Sequence, residues 1–111
     1  MSIEALWSVQ FISNQNIVGS GVAVFETQRV LGGDAQYTYI GEYSAENNTF
    51  NARVVVSLYG NNPFSVFGNR SQFTLLLSGQ QAEQTFDAVG HIEGEPQSKI
   101  VIRLTRRAEL P

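Results

Sequence analysis

The sequence contains no cysteine and few charged residues, and both shortages limit the sites it can form. Without cysteine, neither a disulfide nor a thiolate metal site can form. Charged residues make up 15% of the 111 residues, and the net charge is -3. Proteins that hold phosphate backbones usually carry a basic surface, so the sequence predicts no contact with nucleic acid. Four of the seven basic residues lie near the end of the chain, where we expect a solvated outer strand face: Lys99, Arg103, Arg106 and Arg107.

Long apolar runs and a secretion signal are also missing from the sequence. No segment approaches the roughly 20 apolar residues that a helix needs to span a bilayer. The opening segment MSIEALWSVQF has no basic region, and Glu4 stands where a signal peptide would be apolar. We therefore expect a cytoplasmic protein that makes no membrane contact.

Apolar and polar residues alternate along most of the chain, as is typical of half-buried strands. No window shows the 3.6-residue period of an amphipathic helix. The clearest alternating sets are Trp7, Val9 and Phe11, then Phe50, Ala52, Val54 and Val56, then Ile100, Ile102 and Leu104. Turn-forming residues divide the chain into about eight short strands. Residues 1–111 are thus predicted to form one all-β domain, an eight-stranded antiparallel up-and-down (meander) barrel of lipocalin or calycin type. A flattened sandwich is the alternative.

The last hairpin allows a prediction of register. If GEPQS, residues 94–98, forms a five-residue loop, Glu93 lies opposite Lys99 and Ile92 lies opposite Ile100. The charged side chains then share the outer face, and the apolar ones share the inner face.

Two glycine motifs stand in or beside the strands. Gly32, Gly33 and Asp34 are not followed by the Lys and helix of a phosphate-binding loop, so we predict a structural turn. In that turn the glycines would supply positive φ angles and Asp34 would bond the backbone. Gly19 and Gly21 share one face of a strand. They either allow a sharp bend or the close approach of bulky neighbours, or they leave room for a ligand.

Side chains that could support catalysis are few and scattered. His91 is the only histidine, and the alternation places it on the outer face of its strand. The carboxylates fall mainly in turns or on polar strand faces, where they are expected to be solvated. Zinc usually takes several His or Cys ligands. The sequence therefore predicts no catalytic residue, no metal site, no cofactor and no enzyme activity.

The segment YGNNPFSVFGN, residues 59–69, combines turn formers with bulky apolar residues. Phe64, Val66 and Phe67 do not favour water, so they are expected to make contacts. Three alternatives stand: they plug the protein's own barrel, they meet a second subunit, or they form a lid over a ligand.

The segment LWSVQFISNQNIVGSGVAVFETQRVLGGDAQYTYIGEYS, residues 6–44, resembles the N-terminal half of the GrlR family of small bacterial proteins. The matching features are a first strand that ends in FISN and a Gly-x-Gly in the second strand. A third is GGD followed by an aromatic strand that ends in Gly. The named member of this family represses the type III secretion regulon.

This resemblance implies a non-enzymatic regulator built on a lipocalin-like barrel. It implies a homodimer, an apolar interior suited to a lipid-like ligand, and sequestration of a transcriptional activator by protein contact rather than DNA binding. In the family's repressor, a run of acids in the turn after the fourth strand is recognised by the partner. The corresponding turn here contains Glu46 as its only acid, followed by Asn47 and Asn48. Binding of a small apolar ligand inside the barrel is the alternative function.

Overall fold

The computed structural model describes residues 2–111, and their secondary structure is entirely β. Eight strands form a closed antiparallel barrel. Each barrel strand pairs with the next barrel strand along the chain, and the last strand closes the barrel on the first. The predicted lipocalin-like meander barrel is confirmed, and the flattened sandwich is not formed.

The strands have the following bounds. The barrel strands are β1 Ala5–Ser13, β2 Val18–Glu26, β3 Arg29–Gly33, β4 Tyr37–Glu46, β5 Thr49–Leu58, β8 Gln72–Gln80, β9 Thr85–Ile92 and β10 Glu95–Ala108. Between β5 and β8, the two short strands β6 Phe64–Ser65 and β7 Gly68–Asn69 form a separate hairpin.

The lower end of the barrel, defined by the β2–β3 and β4–β5 turns, is filled with aromatic side chains. Trp7 packs edge to face on Phe86, with ring centroids 5.2 Å apart, and Phe25 contacts the Phe50 ring at 5.5 Å. The Trp7 indole N–H donates a hydrogen bond of 2.8 Å to the Ile3 carbonyl. Because these rings are buried together and the indole N–H is paired, this end of the barrel is closed.

Arg106 corrects the expectation of a uniformly solvated basic face. Its guanidinium lies 5.1 Å from the centroid of the Trp7 ring and donates hydrogen bonds to the carbonyls of Ser2 and Glu83. Arg103 instead remains outside, paired with Asp87 at 2.9 Å. Arg106 therefore helps to cover the lower end through its stem and a cation–π contact.

The predicted register of the last hairpin is wrong by two residues. Lys99 lies opposite His91 rather than Glu93, and Ile100 lies opposite Gly90 rather than Ile92. The chain turns at Glu93 and Gly94, since Gly94 has a φ of 84°, and residues 96–98 then form an irregular bulge in β10. A shift of two residues leaves every side chain on its original face, so the inward positions of Ile92 and Ile100 are unaffected.

Candidate functional site

The barrel contains a cavity of about 260 Å³ above the aromatic lower end. Its walls are mainly inward-facing apolar side chains, including Val54, Val56, Leu75 and Ile102. It reaches the surface at the upper end, because exposed residues such as Val18 also line it. An apolar cleft of this kind favours apolar ligands, since binding there removes apolar surface from water.

The opening results from a mismatch in strand length. β2 has nine residues, whereas its neighbour β3 has five. Pairing between them begins at Val22 and Gly33, so residues 18–21 of β2 have no strand partner on that side. Val18 and Ser20 at this free edge line the cavity, as does the segment 34–36 that follows β3. The mouth therefore lies between the free edge of β2 and the β3–β4 connection.

Gly19 and Gly21 make room for two aromatic rings beside this mouth. A Cβ on Gly19 would lie 2.5 Å from the Phe11 ring, and a Cβ on Gly21 would lie 2.6 Å from the Tyr39 hydroxyl. Phe11 and Tyr39 contact each other edge to face, with centroids 6.4 Å apart. The packing alternative for these glycines is confirmed, and the rings they admit line the cavity.

Gly32 and Gly33 do not form the predicted turn, because both lie within β3. The only glycines with a positive φ in residues 2–111 are Gly68 and Gly94, so the predicted positive φ is wrong. Close backbone approach explains the motif instead. A Cβ on Gly32 would collide with the Val22 carbonyl of β2, and one on Gly33 would lie 2.7 Å from the Tyr37 carbonyl oxygen.

Asp34, in contrast, bonds the backbone as predicted. Its Oδ1 accepts hydrogen bonds of 2.9 Å from the backbone N–H groups of Gln36 and Tyr37, which fixes the β3–β4 connection. Its Oδ2 accepts the Tyr39 hydroxyl, and its carbonyl accepts the Tyr59 hydroxyl at 2.6 Å. Burial, followed by the bond to the Asp34 carboxylate, raises the pKa of Tyr39, so its hydroxyl keeps its proton.

The β6–β7 hairpin covers the upper end. The three apolar residues of the 59–69 segment lie in different environments within it. Val66 and Phe67 are buried, and Phe67 packs edge to face on Phe73 at 5.6 Å. The Ser13 hydroxyl donates a bond of 2.6 Å to the Val66 carbonyl. For Val66 and Phe67 the plug alternative is therefore confirmed. Phe64 remains 58% exposed and lines the cavity at its mouth, so the lid and subunit alternatives apply to it alone.

The turn at Glu46, Asn47 and Asn48 lies at the lower end, away from the cavity mouth. Asn47 and Asn48 connect β4 to β5 with φ angles of 54° and 63°. Positive φ at both central residues is the pattern of a type I′ turn, for which Asn is well suited. Glu46 and both asparagines are exposed, so the turn is accessible to a partner.

The potential metal-ligating and catalytic side chains of the described residues are dispersed over the barrel. Within residues 2–111, no three or more His, Cys, Asp or Glu side chains converge where they could hold a metal ion. His91 is half-buried on the outer face of β9, where its register partners are half-buried Leu76 on β8 and exposed Lys99 on β10. No helix in the described part of the chain is long and apolar enough to cross a membrane.

The sequence did not reveal the free edge of β2 or the contact between Asp34 and Tyr39. The signal for that contact was the spacing of five residues, which places Asp34 in a turn and Tyr39 in the strand that follows. A scan of protein-family models and a search of curated proteins both find no match to this chain.

Proposed function

We propose that this protein is a non-enzymatic binding protein whose barrel holds a small apolar ligand. The observation that carries the proposal is the apolar cavity of about 260 Å³, closed below by aromatic rings and open beside β2. Core side chains normally pack with few voids. A cavity of this size does not help to stabilise the barrel, so we attribute it to ligand binding.

The size and shape of the cavity restrict the ligand. Ligand pockets typically enclose about 300–1,000 Å³, and this one lies near the lower limit. A medium-length alkyl chain or a pair of fused rings fits such a space. Phe11, Tyr39 and Phe64 line the upper part, where they can contact the ligand as it enters.

The charge at the mouth favours a neutral or cationic head group. Asp34 is the only lining residue among 2–111 that carries a formal charge at neutral pH, and it lies beside the opening. No ion pair involves it in the described residues. A carboxylate head group would be repelled by Asp34, whereas a hydroxyl or an amine could donate a hydrogen bond to it.

Titration with N-phenyl-1-naphthylamine, a neutral fluorescent probe, tests this function. We expect saturable binding of one probe per chain. Ala52→Leu adds bulk to the cavity wall and should abolish binding, whereas Ala108→Leu makes the same change at an exposed position and should leave binding intact. Binding that is unsaturable, or equal in all three proteins, would reject the cavity as a ligand site.

A second candidate function is regulation of type III secretion genes in the cytoplasm, through contact with a transcriptional activator, as the GrlR resemblance implies. An exposed apolar row across three strands supports it. Ile12, Val101 and Val89 are cross-strand partners on the outer face, and each is at least 41% exposed. Exposed apolar patches of this kind are typical of protein contact sites. The accessible Glu46 turn offers a further contact.

Transcript levels in the bacterium that encodes the protein test the regulatory function. Deletion of the gene should raise the transcripts of type III secretion genes, and the wild-type gene should reverse the rise. Val101→Glu should fail to reverse it, while Ala108→Glu, also exposed but outside the row, should succeed. Unchanged transcripts after deletion would refute the regulatory candidate without affecting the ligand-binding one.

A further inference from the structure

The outer face of β2 to β5 carries a second apolar row, and its residues are aligned by strand register. Val24 lies opposite Leu31, Leu31 opposite Ile40, and Ile40 opposite Val55. Leu31 is 39% exposed and Ile40 is 50% exposed, so the centre of the row is open to solvent. Side chains in direct register form a continuous strip on the sheet surface.

A row of alternating charge runs beside this strip, two residues nearer the lower end of the barrel on each strand. Glu26 lies opposite Arg29, Arg29 opposite Glu42, and Glu42 opposite Arg53. All four side chains are exposed. The order of signs across the four strands is therefore negative, positive, negative, positive.

This order makes the face complementary to itself. A two-fold axis that lies in the contact plane and runs parallel to the strands reverses the order of the row in the partner copy. Arg29 then meets the partner's Glu42 at the centre. At the edge, Glu26 meets the partner's Arg53, whose guanidinium also bonds its own Glu93 at 3.1 Å. The apolar rows meet in the same way, with Leu31 against the partner's Ile40. An in-plane axis perpendicular to the strands gives no such match, since each charged residue would face its own kind or another row.

We propose that a second copy of this chain docks on the β2–β5 face about a two-fold axis parallel to the strands. Apolar contact along the Val24–Val55 strip supplies the attraction, and the charged row selects the orientation. The row that contains Ile12 and Val101 lacks this property. In its neighbouring row, Arg103 lies between Gln10 and Asp87. Reversal of that order places Arg103 opposite the partner's Arg103, so like charges meet at the centre.

The convex barrel surface limits the area that two copies bury. Four strands spaced about 4.8 Å apart are only about 14 Å wide between the outer two. Contacts of this width fall at the small end of specific interfaces, so we expect a dissociation constant of micromolar order, with dimer predominating above it. This inference does not depend on ligand binding.

Sedimentation equilibrium of the full chain over a range of micromolar concentrations tests the proposal. The wild type should reach a dimer mass, and Arg29→Glu and Glu42→Arg should each weaken self-association about tenfold or more. Lys99→Glu makes a matched charge reversal outside the face and should leave the dimer intact. Phe64→Ser should also leave it intact, because the 59–69 segment lies outside this face.

An equimolar mixture of Arg29→Glu and Glu42→Arg is the decisive sample. In the mixed dimer, Glu at position 29 of one copy meets Arg at position 42 of the other, and the native Glu42 and Arg29 meet at the symmetric point. We expect the mixture to recover the dimer that neither variant forms alone, which a folding defect could not produce. A monomeric wild type, dimeric single variants, or a mixture that remains monomeric would overturn the proposal.

Discussion

The Tyr39 hydroxyl donates a hydrogen bond to the Asp34 carboxylate, and this contact joins the β4 wall of the cavity to the β3–β4 connection at its mouth. The same carboxylate holds the backbone N–H groups of Gln36 and Tyr37. The Asp34 carboxylate thus fixes the geometry of the opening through three bonds, one within the β3–β4 connection and two to β4. The mouth of the site is a preorganised part of the barrel.

Removal of the Tyr39 hydroxyl should destabilise the protein. Tyr39→Phe deprives a half-buried carboxylate of a donor, so we expect a loss of about 1–2 kcal/mol in the free energy of unfolding, measured by urea denaturation. Tyr59→Phe is the control. Tyr59 also donates to Asp34, but it is 61% exposed and water can replace its bond, so its loss should stay below about 0.5 kcal/mol. Equal losses in the two variants would contradict the role given to Tyr39.

Ligand head-group charge should control affinity. At neutral pH, decanol should bind more tightly than decanoate by about fivefold to tenfold, because the decanoate carboxylate is repelled by Asp34 across the mouth. In Asp34→Asn this preference should shrink, as measured by displacement of the fluorescent probe. A preference for decanoate, or one that Asp34→Asn leaves unchanged, would show that Asp34 does not select the ligand.

The glycine at position 32 should resist substitution because of close backbone packing. Gly32→Ala places a methyl group against the Val22 carbonyl of β2, so we expect a loss of about 1–3 kcal/mol in unfolding free energy. Gly60→Ala is the matched control, since its Cβ would meet the end of the flexible Gln36 side chain. If Gly32→Ala melts at the wild-type temperature, β2 and β3 do not approach as closely as the structure indicates.

Acid should remove the stabilisation provided by the ion pair between Arg70 and Glu95. Arg70 follows the β6–β7 hairpin and bonds both Glu95 oxygens, at 2.8 and 2.9 Å. The hydrogen bond from Arg70 lowers the pKa of Glu95 from its usual 4.5. A lowered pKa in the folded state gives stability that is present above pH 4.5 and lost as pH falls through the folded value.

The comparison of wild type with Glu95→Gln isolates this contribution. The wild type should have the higher melting temperature at pH 7, and the difference should shrink as pH falls below 4.5. Glu46→Gln removes an exposed glutamate that makes no ion pair within residues 2–111, so it should melt like the wild type throughout. A difference that persists in acid would mean that Glu95 acts through packing rather than charge.

Alternation along the chain was sufficient to predict the barrel, because an inward apolar face repeats every two residues in β1, β5 and β10. It could not determine register. Glu93 and Lys99 were matched through a five-residue loop, whereas Gly94 turns the chain earlier and Lys99 meets His91. Both registers keep the same faces, so the burial pattern could not distinguish them.

The site was less predictable because it depends on contacts between distant segments. Glycine favours turns and close strand contacts alike, so Gly32 was placed in a turn although it packs against β2. The burial of Phe67 but not Phe64 depends on how the β6–β7 hairpin lies over Phe73. The short length of β3, which opens the cavity, has no local marker in the sequence.

Methyl NMR during titration with decanol tests the central claim most directly. Inward methyl groups of Val54, Leu75 and Ile102 line the cavity, whereas those of Leu31 and Ile40 lie on the outer face. We predict saturable chemical-shift changes at the three inward residues and none at the two outer ones. Shifts confined to the outer residues, or no saturable shifts at all, would contradict a ligand site inside the barrel.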